Sequence, residues 1–181
     1  MKFDLENASL VLNTYESTMT DNNTINTWTN VNLKSVLGDM FDKYETFNLC
    51  LSVVNTDVTA TEMGNGIDGV STRICIMYIS GLPFVNQTYS VKKNTLTNEA
   101  VLGTLILPLD TTTTSEQYYF GSSSVATFRS PSEMTNITIK LTKINNATQT
   151  PTYDFPEMVF IFDIYGVEPK KTFIDNRIKN L

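Results

Sequence analysis

Eight stretches of β-branched and aromatic residues, each closed by Gly, Pro, Asn, Asp or Ser, run through this chain, and that spacing limits its fold most. They cover Ala8–Ser17, Thr24–Val31, Phe47–Val54, Thr72–Ser80, Ala100–Leu107, Gln117–Arg129 with a break at Gly121, Asn136–Ile144 and Met158–Tyr165. In the first, Leu10, Leu12 and Thr14 share a face. In the second, Ile25, Thr27, Thr29 and Val31 alternate against Trp28, which predicts one buried and one wetter face. Ile74, Ile76 and Tyr78 against Cys75, Met77 and Ile79 leave neither face of the fourth polar, as in a strand covered on both sides. The polar segments between strands, at Val58–Val70, Tyr89–Asn98 and Asp110–Glu116, suit strands that cross between two sheets better than two-residue hairpins. No internal repeat is visible, which removes support for a propeller or β-helix.

One helix interrupts the pattern. Leu33, Val36, Leu37, Met40, Phe41 and Tyr44 fall at helical spacing and predict an amphipathic helix over 33–44 lying on a sheet. Asn32 is placed to cap it, and Gly38 weakens it by roughly 1 kcal/mol relative to Ala.

With 181 residues, one domain with one core accounts for the chain without help from metals or disulfides. Charged residues make up only 18%, below the roughly 25% of a typical domain, so Asn and Thr carry much of the solubility. Thr favours strands and Asn favours turns, so the composition leans to all-β. A net charge of −6 repels nucleic acid at long range and argues against direct genome binding. No run of 18 apolar residues is present, and the start MKFDLENASL lacks the apolar centre of a secretory signal; a chain made in the cytosol, with no transmembrane segment, is expected. Cys50 and Cys75 lie within apolar runs and read as structural thiols. The sequons at Asn7, Asn22, Asn86, Asn136 and Asn146 are what an Asn- and Thr-rich chain yields by chance.

The absence of histidine excludes Ser-His-Asp and Cys-His catalysis and histidine metal sites. The expectation is a protein that is not an enzyme, with no catalytic residues, cofactor or metal. Gly64-Asn65-Gly66-Ile67-Asp68-Gly69 has the spacing of a dinucleotide fingerprint, but a strand and not a helix follows it, so the glycines read as a loop. Asp57, Glu62 and Asp68 share that loop without Ca²⁺-loop spacing and read as solvated, as do Asp39 and Asp42 on the helix beside Lys34 and Lys43. Tyr118, Tyr119 and Phe120 read as core or subunit contact before sugar platform. After Pro169 the chain holds Lys170, Lys171, Phe173, Ile174, Arg177 and Ile178, too few apolar residues for a core. That segment is either a frayed terminus or an extended arm that reaches a neighbouring subunit, which divides the chain into a domain over 1–169 and an arm over 170–181.

The blocks NTWTNVNLKSVLGDMFDKYETFNLCL (Asn26–Leu51), FRSPSEMTNITIKL (Phe128–Leu141) and MVFIFDIYGVEP (Met158–Pro169), with the eight-strand count, resemble the single jelly-roll capsid proteins of large double-stranded DNA viruses and virophages. The resemblance covers most of the chain and its motifs are structural. It implies an eight-stranded antiparallel jelly-roll sandwich whose first and last strands pair in the middle of one sheet. It implies a virion protein, made in the host cytoplasm, acting by self-assembly. The favoured role is a penton protein forming pentamers at icosahedral vertices. The alternative is a minor capsid protein tying the major capsomers together beneath the shell. Its partners are then further copies of itself, the major capsid protein and other minor capsid proteins. A carbohydrate-binding β-sandwich and a trimeric attachment-fibre head are the competing classes. Subunit contacts are expected at Tyr118, Tyr119 and Phe120, and at Lys170, Lys171, Phe173, Ile174, Arg177 and Ile178.

Overall fold

The computed structural model describes residues 6–20, 25–56, 72–85, 88–90, 95–97, 99–108, 117–119, 122–123, 125–143 and 158–171. The strands are β1 (Asn7–Asn13), β2 (Thr18–Thr20), β3 (Ile25–Asn32), β4 (Tyr44–Thr56), β5 (Thr72–Ser80), β6 (Thr88–Ser90), β7 (Thr95–Thr97), β8 (Glu99–Pro108), β9 (Gln117–Tyr119), β10 (Ser122–Ser123), β11 (Ala126–Arg129), β12 (Met134–Lys143) and β13 (Met158–Pro169). Two short helices, α1 (Leu33–Leu37) and α2 (Met40–Lys43), join β3 to β4.

One sheet runs β1-β13-β4-β11, with β9 also pairing β4; the other runs β10-β8-β5-β12-β3-β2. All pairings are antiparallel. Successive long strands thus alternate between sheets, β1 in the first, β3 in the second, β4 back in the first, β5 and β8 in the second, β11, β12 and β13 alternating again. That order is the eight-stranded jelly roll. The last strand lies between β1 and β4 as expected, but β1 is at the sheet edge and not in its middle.

The core follows from period-two alternation. From the first sheet come Leu10 and Leu12, Phe47, Leu49, Leu51 and Val54, Ala126 and Phe128, and Met158, Phe160, Phe162 and Ile164; from the second come Trp28, Met77, Ile79, Ala100, Leu102, Ile137 and Ile139. Phe47 stacks on Phe128 with centroids 5.3 Å apart, Phe84 meets Phe128 edge-on at 6.3 Å, and Trp28 meets Phe160 edge-on at 6.2 Å. The Trp28 indole N–H donates to the Asn13 carbonyl at 2.7 Å, which satisfies its polar atom and ties β3 to β1 across the sheets.

The expected single helix over 33–44 is two helices. Gly38 adopts φ 54° and ψ −131°, outside helical space, and caps α1. The apolar face survives the break, with Leu33, Leu37 and Met40 buried and Val36, Phe41 and Tyr44 packed on the core. Asn32 caps as expected, its Oδ1 accepting from the Ser35 N–H at 2.9 Å. The stretch 117–129 is three short strands, of which β9 and β11 pair β4 whereas β10 pairs β8. A small hairpin, β6 with β7, occupies part of the 89–98 stretch expected to be loop. At Asn30, φ is 56°, a conformation Asn tolerates, and its N–H donates to Asn136 Oδ1 at 3.0 Å where the β3–β12 register slips by one residue.

Candidate interaction surfaces

With the even-numbered residues of β1 and β13 directed into the core, their odd-numbered neighbours form the outer face of the first sheet. Register aligns them into rows across the strands. Val11 lies opposite Ile161, and Ile161 opposite Val53, giving an apolar row three strands wide. Val11 is 55% exposed, and Ile161 and Val53 are half-buried. The neighbouring row holds Ser9, Asp163 and Cys50. Asp163 accepts from the Ser9 hydroxyl at 3.2 Å and from the Ser52 hydroxyl. Further along, Thr127 donates to Asn48 Oδ1 at 2.8 Å. The Cys50 thiol has its pKa raised, first by burial and then by the Asp163 charge, so it is less nucleophilic than a free thiol near neutrality.

The outer face of the second sheet differs. Ile25, Lys140, Tyr78 and Val101 form one row; Thr18, Thr27, Thr138, Ser80 and Glu99 form the next. Lys140 pairs with Glu99 at 3.2 Å and sits 4.7 Å above the centre of the Tyr78 ring. The Thr27 and Thr138 hydroxyls share a hydrogen bond of 3.0 Å. One row of this face is therefore hydroxyls closed by Glu99, and the other is apolar or aromatic around Lys140, whose charge Glu99 offsets.

Of the residues expected at subunit contacts, Tyr118 and Tyr119 lie on β9, paired with Asn55 and Val54 of β4. Lys170 is held within its own chain: its N–H donates to the Lys43 carbonyl at 2.8 Å, and its Nζ donates to the Phe41 carbonyl at 3.0 Å. Lys171 is exposed. Phe120, Phe173, Ile174, Arg177 and Ile178 lie outside the described residues, as do the 64–69 glycine loop and Asp57, Glu62 and Asp68. Asp39 is a solvated carboxylate with 91% side-chain exposure, 3.9 Å from Lys43, which also pairs with Glu6 at 3.2 Å.

One buried polar group escaped the sequence reading. Asn26 is fully buried on β3; its Oδ1 accepts from the Ser17 hydroxyl at 2.6 Å, and its Nδ2 has no partner among the described residues. A strand alternating Asn26 with Ile25 offers no signal that the amide is the inward residue. Among the described residues no group of three or more Cys, Asp or Glu is placed to hold a metal, and no helix is long and apolar enough to cross a membrane. No protein-family model matches the chain, and no curated protein matches it in sequence.

Proposed function

We propose that the protein is a structural virion subunit, a penton-type capsid protein that assembles into pentamers at icosahedral vertices. The observation that carries this reading is the strand order β1-β13-β4-β11 facing β8-β5-β12-β3 in one 181-residue chain, a single jelly roll of the kind the sequence resembles. Shell building asks for a rigid block with contact surfaces, and the apolar row of Val11, Ile161 and Val53 on an outer face supports such a use. In a ring each copy presents two different surfaces to its neighbours, so the contact is head to tail and closes at five. To persist, each contact buries more than about 1,000 Å².

A second reading is favoured by one feature, the outer edge of β1, which pairs with no strand among the described residues. A strand edge open to another chain suits a minor capsid protein that ties capsomers together beneath the shell. Light scattering across a range of protein and salt concentrations separates the readings. A mass five times 20.3 kDa, with five-fold rings by electron microscopy, supports the vertex role. A species without five-fold order that binds purified capsomers supports the minor capsid role. A monomer that binds glycans and no capsid component refutes both in favour of a carbohydrate-binding module.

A further inference from the structure

The two edges of the β1-β13-β4-β11 sheet are finished differently. Beyond β11 the chain covers its own edge: Val85 N–H donates to the Thr127 carbonyl at 2.8 Å, Arg129 N–H donates to the Pro83 carbonyl at 3.0 Å, and Phe84 bridges Phe128. Beyond β1 no strand follows among the described residues. The direction of the β1 backbone is fixed by two contacts. Gly166 N–H donates to the Glu6 carbonyl, so Glu6, Ala8, Leu10 and Leu12 turn their polar groups towards β13. Asn7, Ser9, Val11 and Asn13 then turn theirs outward, and the Trp28 indole indeed meets the Asn13 carbonyl from that side. Helix α1 lies close to β1 but supplies no backbone hydrogen-bond partner for Ser9 or Val11 among the described residues.

Protein edges are ordinarily guarded by Lys, Pro, a bulge or a covering segment. Here β1 has none of the first three: its sequence is NASLVLN, its register with β13 is unbroken, and no charge lies between Glu6 and Glu16. We propose that the β1 edge is the docking site for a second copy of this chain, pairing antiparallel with the same strand about a two-fold axis at Leu10. With the axis at Leu10, Ser9 faces Val11 of the second copy and Val11 faces Ser9 of the second copy, and their outward polar groups exchange four bonds at the centre of the joint. That register sets Leu10 against Leu10, Ala8 against Leu12 and Asn7 against Asn13. NASLVLN carries Asn at both ends, Leu at its centre and no charged residue, so Asn meets Asn, Leu meets Leu and every opposed pair is uncharged. Two chains of net charge −6 thus meet along a segment with no charge of its own, where repulsion is least. The apolar row at Val11, Ile161 and Val53 lies on the outer face of the joined sheet in each copy.

This contact goes beyond the vertex reading and does not depend on it, because an isologous contact closes at two and a ring contact at five. The test compares the full-length protein with Val11→Pro. Val11 N–H makes no bond within its own sheet, and proline is tolerated at such edge positions. The expected result is a mass that halves in Val11→Pro with an unchanged circular dichroism spectrum. A register test stands beside it: Ser9→Cys mixed with Val11→Cys brings sulfurs onto Cα atoms about 5.5 Å apart, within disulfide reach, whereas either variant alone leaves them about 9 Å apart. Cross-linking above background in the mixture alone supports the joint; cross-linking without that preference overturns it. A mass unchanged by Val11→Pro overturns it too. If that unchanged mass is a pentamer, the vertex role stands without the joint; if Val11→Pro yields monomers from dimers, the joint stands and the vertex role falls.

Discussion

Gly81 closes the turn after β5 at φ +101°, and a Cβ built there lies 1.8 Å from the Asn136 carbonyl oxygen and 2.9 Å from its carbon. Gly81→Ala therefore carries two costs. Forcing an L-residue to positive φ costs about 1–2 kcal/mol. The overlap is with backbone, not a mobile side-chain tip, so the turn and β12 must separate by roughly 1.5 Å to reach van der Waals contact. That movement strains the bond from the Thr135 hydroxyl to the Gly81 carbonyl, 2.9 Å long, and the adjoining β5–β12 ladder. The combined loss is about 3–5 kcal/mol, a large part of the stability of an ordinary domain. Gly38 supplies the control: its φ is +54°, but nothing lies within 4 Å of a Cβ there. Gly38→Ala should lose only the backbone cost, about 1–2 kcal/mol. In urea unfolding with a slope of about 2 kcal/mol/M, the midpoints fall by roughly 2 M and roughly 0.5–1 M respectively. Equal shifts in the two variants would refute the assignment of the larger cost to the Asn136 carbonyl.

Phe160→Ala, which empties a fully buried position between Trp28 and Phe162, should lower stability by about 3–5 kcal/mol, whereas Phe160→Leu should lose less than half as much in the same thermal melts. Cys50 should react with iodoacetamide more slowly than free cysteine at pH 8, with its pH profile displaced upward; Asp163→Asn should speed the reaction without reaching the free rate, because burial is the larger cause, and peptide mapping reads the site. Lys140→Met should cost no more than about 1 kcal/mol, since the Lys140–Glu99 pair is about one-third exposed on both sides, and the stability of the variant should depend less on salt.

Strand positions were legible because burial repeats every second residue: Leu10 and Leu12, or Phe160, Phe162 and Ile164, announce both the strand and its inward face. The helix was legible as a face but not as a continuous element. Leu33, Leu37 and Met40 keep their spacing across the break, while the break itself is a φ choice at Gly38 that hydrophobic spacing does not record. In 117–129 the interruption at Gly121 was visible, but not that neighbouring fragments would join opposite sheets, which is decided by distant partners in β4 and β8. The β6–β7 hairpin was missed because TYS and TLT carry too little apolar alternation to stand out from polar loop. Lys170 looked like free arm chemistry in sequence; its place against Phe41 and Lys43 depends on the end of β13 meeting the start of β4. That β1 has only one partner among the described residues was the least legible feature of all, because NASLVLN reads the same whether a strand has one neighbour or two.

The outer edge of β1 has a property the interior strands lack. Side-chain direction and hydrogen-bond direction both alternate with period two along a strand. In β1 the two alternations coincide so that Leu10 and Leu12 are buried and bonded to β13, while Ser9 and Val11 are exposed and turned to the free edge. A substitution at Ser9 or Val11 consequently alters what a second chain meets without opening a cavity or breaking an internal ladder. In β13 no such separation exists, because its odd residues bond β4 and its even residues bond β1. Folding and association can therefore be varied independently at β1, and Ser9→Lys provides the sharpest use of that freedom. It introduces a charge where pairing needs a neutral edge, so association should weaken by at least tenfold, while folding loses no more than the exposed Ser9–Asp163 hydrogen bond, about 1 kcal/mol in urea unfolding.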